Sequence, residues 1–224
     1  MDKLPPHVRR ARRPEHKELR LASIVDAARS LALEKGVREV TLTDIAARAG
    51  INKSAVLRYV ETREEIYLRL TAECWTRWAA ALADALGGRT DGTPDELATT
   101  LARTVVEQPL LCDLLAHAPL HLERHVSADA VLTYKLAALG ALDDMADTGS
   151  AFQPVLDQAA TRDLVSTVSL LAGSLWQIST PPEALARLYA EEPRLAHAVV
   201  DFLPRLSQTA RTMAAGLAAR AGLG

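Results

Sequence analysis

The sequence predicts an all-α chain in two parts: an N-terminal three-helix domain with a helix-turn-helix, then a larger helical domain. Three observations carry this reading. Ala and Leu abound while aromatics make up only 4% of the 224 residues, a balance that favours helix over sheet. No run of alternating β-branched residues is long enough for a strand. Apolar residues recur at three- and four-residue steps between Gly and Pro breaks.

Residues 1–16 carry Arg9, Arg10, Arg12 and Arg13 among Pro5, Pro6 and Pro14. Proline and clustered charge argue against packing, so this segment reads as a flexible basic arm: a tail in solvent, or an arm lying along phosphates or in a minor groove. From about Lys17 to Lys35 a helix presents Leu21, Ile24, Val25, Ala28, Leu31 and Ala32, with Gly36 as its stop.

The stretch from Thr41 to Ile66 holds three helix starts. Thr41 with Asp44 three residues on resembles a capping box, Asn52 is a good N-cap, and Thr62 with Glu65 is a full capping box. Gly50 suits the left-handed residue that ends the first of these helices. A short helix, a tight turn and a second short helix make a helix-turn-helix. Val56 and Val60 share one face of the second helix, which leaves Lys53, Ser54, Ala55, Leu57, Arg58 and Tyr59 on the others. A short helix with a basic, hydroxyl-bearing outer surface fits a major groove, where Lys and Arg pair with guanine edges and phosphates. The helix opening at Thr62 continues through Ile66, Leu70, Cys74, Trp78 and Leu82 to Gly87-Gly88. Its length, about 35 Å at 1.5 Å per residue, suits a lever between the two domains.

Beyond Pro94 we expect helices near 94–107, 109–117, 127–147, 154–179, 183–191 and 194–220. The breaks fall at Pro109, Pro119, Gly149-Ser150, Pro181-Pro182 and Pro193, and Pro204 is expected to kink or split the last helix. The domains then run over 17–70 and 71–224, behind the arm.

Charge follows the same division. Residues 1–70 hold 15 Lys and Arg against 10 Asp and Glu, a net of +5; the remainder holds 11 against 18, a net of −7. A basic head on an acidic body fits a polyanion-binding domain attached to one that binds none. No apolar stretch is long enough to span a membrane and no apolar signal region follows the N-terminus, so a cytoplasmic protein is expected. Cys74 and Cys112 show neither zinc-finger nor CxxC spacing. His117, His121 and His125 are spaced for one helix face, but Pro119 interrupts them, so pocket-rim histidines are the better reading than a metal site. Nucleophile-elbow, phosphate-loop and dinucleotide fingerprints are absent, so neither catalysis nor a cofactor is expected.

The stretch Thr-Leu-Thr-Asp-Ile-Ala-Ala-Arg-Ala-Gly-Ile-Asn-Lys-Ser-Ala-Val-Leu-Arg-Tyr-Val-Glu-Thr-Arg-Glu-Glu-Ile, residues 41–66, resembles the DNA-binding segment of the tetracycline-repressor (TetR) family of bacterial regulators. The resemblance covers about residues 17–70 and is architectural beyond them. It implies DNA contacts from Thr43, Lys53, Ser54, Ala55, Leu57, Arg58, Tyr59 and Arg63. At three positions the sequence departs from the family's habit. Leu57 stands where a phosphate-binding tyrosine is usual, Val60 where phenylalanine is common, and Arg63 where a lysine usually touches phosphate.

The resemblance also implies a small-molecule effector held in the helical body. Trp75, Trp78, Asp113, His117, Tyr134, Trp176 and Gln177 are the candidate ligand residues, being aromatic or polar among leucines, although for any one of them plain core is the better reading. Two C-terminal helices with broad apolar faces can form half of a four-helix bundle across a two-fold axis, or pack within one monomer. Leu164, Val168, Leu171, Leu175, Phe202, Leu206 and Met213 mark those faces. The implied mechanism is a homodimer on a pseudo-palindromic double-stranded DNA operator, released when a ligand shifts the head separation. The rivals are a regulator that needs no effector or that activates, and a helical enzyme or adaptor reusing the motif.

Overall fold

The computed structural model describes residues 6–222, with side chains from residue 16 onward. Ten α-helices and two short 3-10 turns make up its secondary structure, with no strand among the described residues. The head comprises α1 (Pro6–Lys35), α2 (Leu42–Arg48) and α3 (Lys53–Val56). Helix α4 (Arg63–Leu86) leads into the body, which continues as α5 (Pro94–Val106), α6 (Pro109–His117), α7 (Ala128–Phe152), α8 (Gln158–Ser179), α9 (Glu183–Glu191) and α10 (Phe202–Ala221). No helix of the described residues is long and apolar enough to cross a membrane.

The expected punctuation of the head is present. Gly36, Gly50 and Gly87 all adopt positive φ, the conformation a residue with a Cβ avoids. Thr41 and Asp44 satisfy one another's backbone amides in a capping box, and Asn52 Oδ1 accepts from Ala55 N at 2.8 Å. At α4 the box is altered. Thr62 accepts from Glu65 N, but the Glu65 carboxylate reaches past it to Glu61 N at 2.7 Å, because Glu61 is the amide its buried side chain meets.

Three boundaries differ from expectation. Helix α1 opens at Pro6, so residues 6–16 of the expected arm are helical and residues 1–5 lie outside the described residues. Proline is tolerated in a first turn, and the Arg, Ala, Lys and Glu that follow are good helix formers. Helix α7 runs through Gly149-Ser150 to Phe152. Gly149 there is a packing device, not a break: a Cβ on it would lie 2.7 Å from Thr161 Cγ2, so its absence lets α8 cross closely. The chain stops at Gln153-Pro154 instead, where the Gln153 amide bonds the backbone of Val155 and Leu156. Pro204 neither kinks nor splits α10, since it sits in that helix's first turn; the break comes before it, between the 3-10 turn Pro193–Ala198 and Phe202.

One continuous core joins head to body. Ile24, Ala28, Ile45, Val56 and Val60 fill the head, and Ile66, Leu70, Trp78 and Leu82 carry the apolar face of α4 into the body. Helices α5, α6, α7, α8 and α10 pack around it, with Leu97, Leu101, Leu111, Leu114, Met145 and Leu164 fully buried. At Gly173 the crossing of α8 over α6 is so close that a Cβ would lie 2.9 Å from Ala116 N. Helix α9 buries no residue and packs mainly on the neighbouring 3-10 turn.

Candidate nucleic-acid interface

Helix α3 is built to be presented. Val56 is fully buried against the head core, and the α2–α3 turn is closed by Ile51 N donating to Ala46 O. With that face anchored, Lys53, Ser54, Leu57 and Arg58 point into solvent, Ala55 is half-buried, and Tyr59 packs partly on the core. Thr43, in the first turn of α2, is exposed beside them. Leu57 is 47% exposed, so it is a surface residue in place of a core one.

The head's charges divide into two sets. Arg48 makes two 2.7 Å hydrogen bonds to Glu34, and Lys35 bonds Asp44 at 3.0 Å. Lys53 and Arg58 form no ion pair among the described residues. Their charge is uncompensated and lies on the outward face of the helix-turn-helix, where a polyanion would approach. The Ser54 hydroxyl is occupied in this state, donating to Asn52 Oδ1 at 2.7 Å.

Arg63 is placed differently from its implied phosphate role. Its guanidinium donates to the carbonyls of Val37 and Val40, pairs with Glu64 at 2.9 Å, and lies 4.9 Å from the centre of the Tyr67 ring. It staples the α1–α2 loop to the start of α4. The flat fork of arginine can satisfy two carbonyls together, which a lysine cannot do in the same geometry.

The same loop is gripped from the body. Asp113 on α6 accepts the Val37 N–H at 2.8 Å through Oδ2 and Gln177 Nε2 at 2.8 Å through Oδ1, with His117 Nε2 3.5 Å away. Burial alone would raise the Asp113 pKa, but the bonds from His117, the Val37 amide and Gln177 together hold it below the ordinary range.

The candidate ligand residues do not share one cavity. Trp75 and Trp78 are packed core, their rings 5.4 Å apart, and Trp78 Nε1 donates to Thr104 Oγ1 at 3.0 Å. Both fill the space beside α4 that an apolar pocket would need. Asp113, His117, Trp176 and Gln177 instead line an open cleft of about 460 Å³ between head and body, opposite Lys35 to Glu39. Tyr134 lines a separate cleft of about 440 Å³ between α4 and α7. His117 closes α6, and its ring lies 5.8 Å from that of His121.

The candidate dimer residues divide as well. Leu164, Val168 and Leu206 are fully buried within the monomer and are core. Leu171, Leu175, Phe202 and Met213 are half-buried, with Phe202 edge-on to Trp176 at 5.9 Å. Missed was Leu170, 70% exposed, which with Ile178, 48% exposed, flanks Ser174 at four-residue steps on the outer side of α8. Their spacing was legible, but α8 is apolar on both sides, so periodicity did not say which side faces out.

Two family models match the chain. Residues 24–70 match the bacterial regulatory proteins of the tetR family, and residues 72–221 match the tetracyclin repressor-like C-terminal domain. No curated protein matches the sequence significantly. Among solved structures, the chain is similar to a TetR transcriptional regulator from Rhodococcus sp. RHA1, at 17% identity over 90% of this chain and 97% of that one, with a TM-score of 0.58. It is also similar to the regulator FadR from Bacillus subtilis in complex with stearoyl-CoA (15% identity, 86% and 96% covered, TM-score 0.52). A third is RolR in complex with resorcinol (18%, 90% and 96%, TM-score 0.51). At such identities the structures share the fold, while the family models cover both domains. The chain belongs to the tetracycline-repressor family of DNA-binding transcriptional regulators.

Proposed function

We propose that this regulator is a homodimeric repressor that leaves a pseudo-palindromic operator when a small molecule binds its body. The observation that carries the reading is the grip of Asp113 on Val37: a body helix bonds directly to the loop that enters the DNA-binding motif. A ligand that favours a body conformation in which α6 has moved would thereby change the attitude of the head. In this reading Lys53 and Arg58 neutralise phosphates, Thr43 and Ser54 add hydroxyl contacts, and Ala55 and Tyr59 lie against base edges. Leu57 faces the backbone without a polar atom to offer. Arg63 acts as a staple and contributes no phosphate contact. Two copies meet through the outer face of α8, where Leu170, Leu171, Leu175 and Ile178 supply an apolar surface that a partner would cover. The effector-bound FadR and RolR structures lend support by analogy of fold.

Selection of bound duplexes from a random pool tests the reading. We expect an enriched inverted repeat with two half-sites separated by about one helical turn or a multiple of it. Enrichment no greater than that given by the double variant Lys53→Ala, Arg58→Ala would overturn it.

A further inference from the structure

A cleft of about 440 Å³ lies between the N-terminal end of α4 and that of α7. Its size falls within the range of small-molecule sites, roughly 300–1,000 Å³. Leu68 and Ala72 from α4 and Ala130 from α7 give it apolar walls. Its charged lining is one-sided: Glu61, Glu65, Glu73 and Asp129 against Arg69 alone.

Those carboxylates are not equivalent. Glu65 accepts from Arg69 at 2.8 Å, and Glu73 is paired with Arg29 at 2.5 Å. Glu61, in the turn from α3 to α4, and Asp129, in the first turn of α7, form no ion pair among the described residues. One uncompensated carboxylate therefore stands on each wall of the cleft.

Tyr134 supplies an independent indication. It is only 7% exposed, it lines the cleft, and among the described residues its hydroxyl donates to no acceptor. The Trp75 indole nitrogen lies near that hydroxyl without the alignment of a hydrogen bond. Burial pushes the Tyr134 pKa up to about 12, so the group remains a donor at neutral pH. The hydroxyl is the part of Tyr134 that reaches the cleft, so a ligand's acceptor entering there can take its hydrogen bond in place of water.

We propose that this cleft binds an organic monocation with an apolar body, its ammonium between Glu61 and Asp129 and a hydrogen-bond acceptor on its body against the Tyr134 hydroxyl. An anion would meet the two uncompensated carboxylates and is disfavoured by the same charges. The proposal rests on the reading of the protein as ligand-responsive and names the class of ligand. Because Glu61 immediately follows the recognition helix and its turn, a cation bridging it to Asp129 ties that turn to α7. The bound ligand thus acts on the head without passing through the body core.

The test uses the full chain and three compounds on one skeleton: 4-(4-methoxyphenyl)butylamine, the corresponding butanol and the corresponding butanoate. Binding is measured by titration calorimetry at neutral pH and low salt, without DNA. The ammonium should bind about tenfold more tightly than either analogue, the sum expected from two exposed charge contacts. The double variant Glu61→Gln, Asp129→Asn should abolish that preference, and Tyr134→Phe should weaken ammonium binding several-fold while the melting temperature stays within a few degrees. Equal or tighter binding of the butanoate, no ammonium binding at millimolar concentration, or a preference that survives in the double variant would each overturn the proposal. If the ammonium binds as described while the selected duplex stays bound, the site stands and ligand-driven release fails.

Discussion

Asp113 Oδ2 accepts the Val37 N–H at 2.8 Å, so a carboxylate on α6 holds the loop between the first two helices. The residues are 76 positions apart and belong to different domains. Asp113→Ala leaves the Val37 amide and Gln177 without their acceptor, at a cost of about 1–3 kcal/mol for a partly buried donor. We expect a lower urea midpoint and weaker operator binding from a less constrained head. Asp113 has a depressed folded pKa, so its contribution is present above the ordinary carboxylate pKa of about 4 and is lost as pH falls through the folded value. Acid should therefore loosen the wild-type head, with little further effect on Asp113→Ala. A urea midpoint equally acid-sensitive in both proteins would contradict this.

The staple at Arg63 and the free charges at Lys53 and Arg58 make opposite predictions. Removing a phosphate contact lowers the log–log salt slope by about 0.9, so Lys53→Ala and Arg58→Ala should each flatten the dependence of affinity on salt. Arg63→Ala should leave the slope per bound head unchanged and lower the melting temperature instead, because two carbonyls lose their donor. A flattened slope for Arg63→Ala, with unchanged melting, would return Arg63 to the phosphates.

Leu57 is exposed, so the head tolerates a larger polar residue there. Leu57→Tyr should strengthen binding to cognate and scrambled duplexes alike, by about 1–2 kcal/mol, through one hydrogen bond to a charged oxygen. Tyr59→Ala should weaken cognate binding more than scrambled binding. Titrating both variants at one salt concentration decides: equal losses for Tyr59→Ala would make Tyr59 a phosphate contact.

The two faces of α8 separate assembly from folding. Leu170→Glu and Ile178→Glu place charge where a partner helix would lie, so sedimentation should show monomers that retain their helicity. Leu164→Ala empties a fully buried site and should cost about 2–5 kcal/mol of stability while leaving assembly intact. A Leu170→Glu protein that sediments as the wild type does would move the interface elsewhere.

The head was largely legible because its signals are local. Thr41 with Asp44, Asn52, Gly36, Gly50 and Gly87 each act on backbone groups within four residues, and each acts as the sequence predicts. The staple made by Arg63 was not legible, because its partners, Val37 and Val40, are carbonyls more than twenty residues away that carry no side-chain signature. Gly149 was read as a break because its local cost in a helix is visible, whereas the crossing helix that favours it is not. The scattering of Trp75, Trp78, Tyr134 and Trp176 over core and two clefts follows from the same limit. An aromatic residue on an apolar helix face fills a void or lines one according to what packs opposite.

Gly173 gives the body a stiffness that leucine packing alone would not. Side chains at a helix crossing can change rotamer and absorb a shift of an ångström, but at this crossing the backbone of α8 rests against the backbone of α6 near Ala116. A displacement of α8 toward α6 meets backbone with no side chain between to absorb it, and bears on the helix whose carboxylate grips the first loop. If α8 is where two copies meet, the rulers for spacing the two reading heads are calibrated by a missing methyl group.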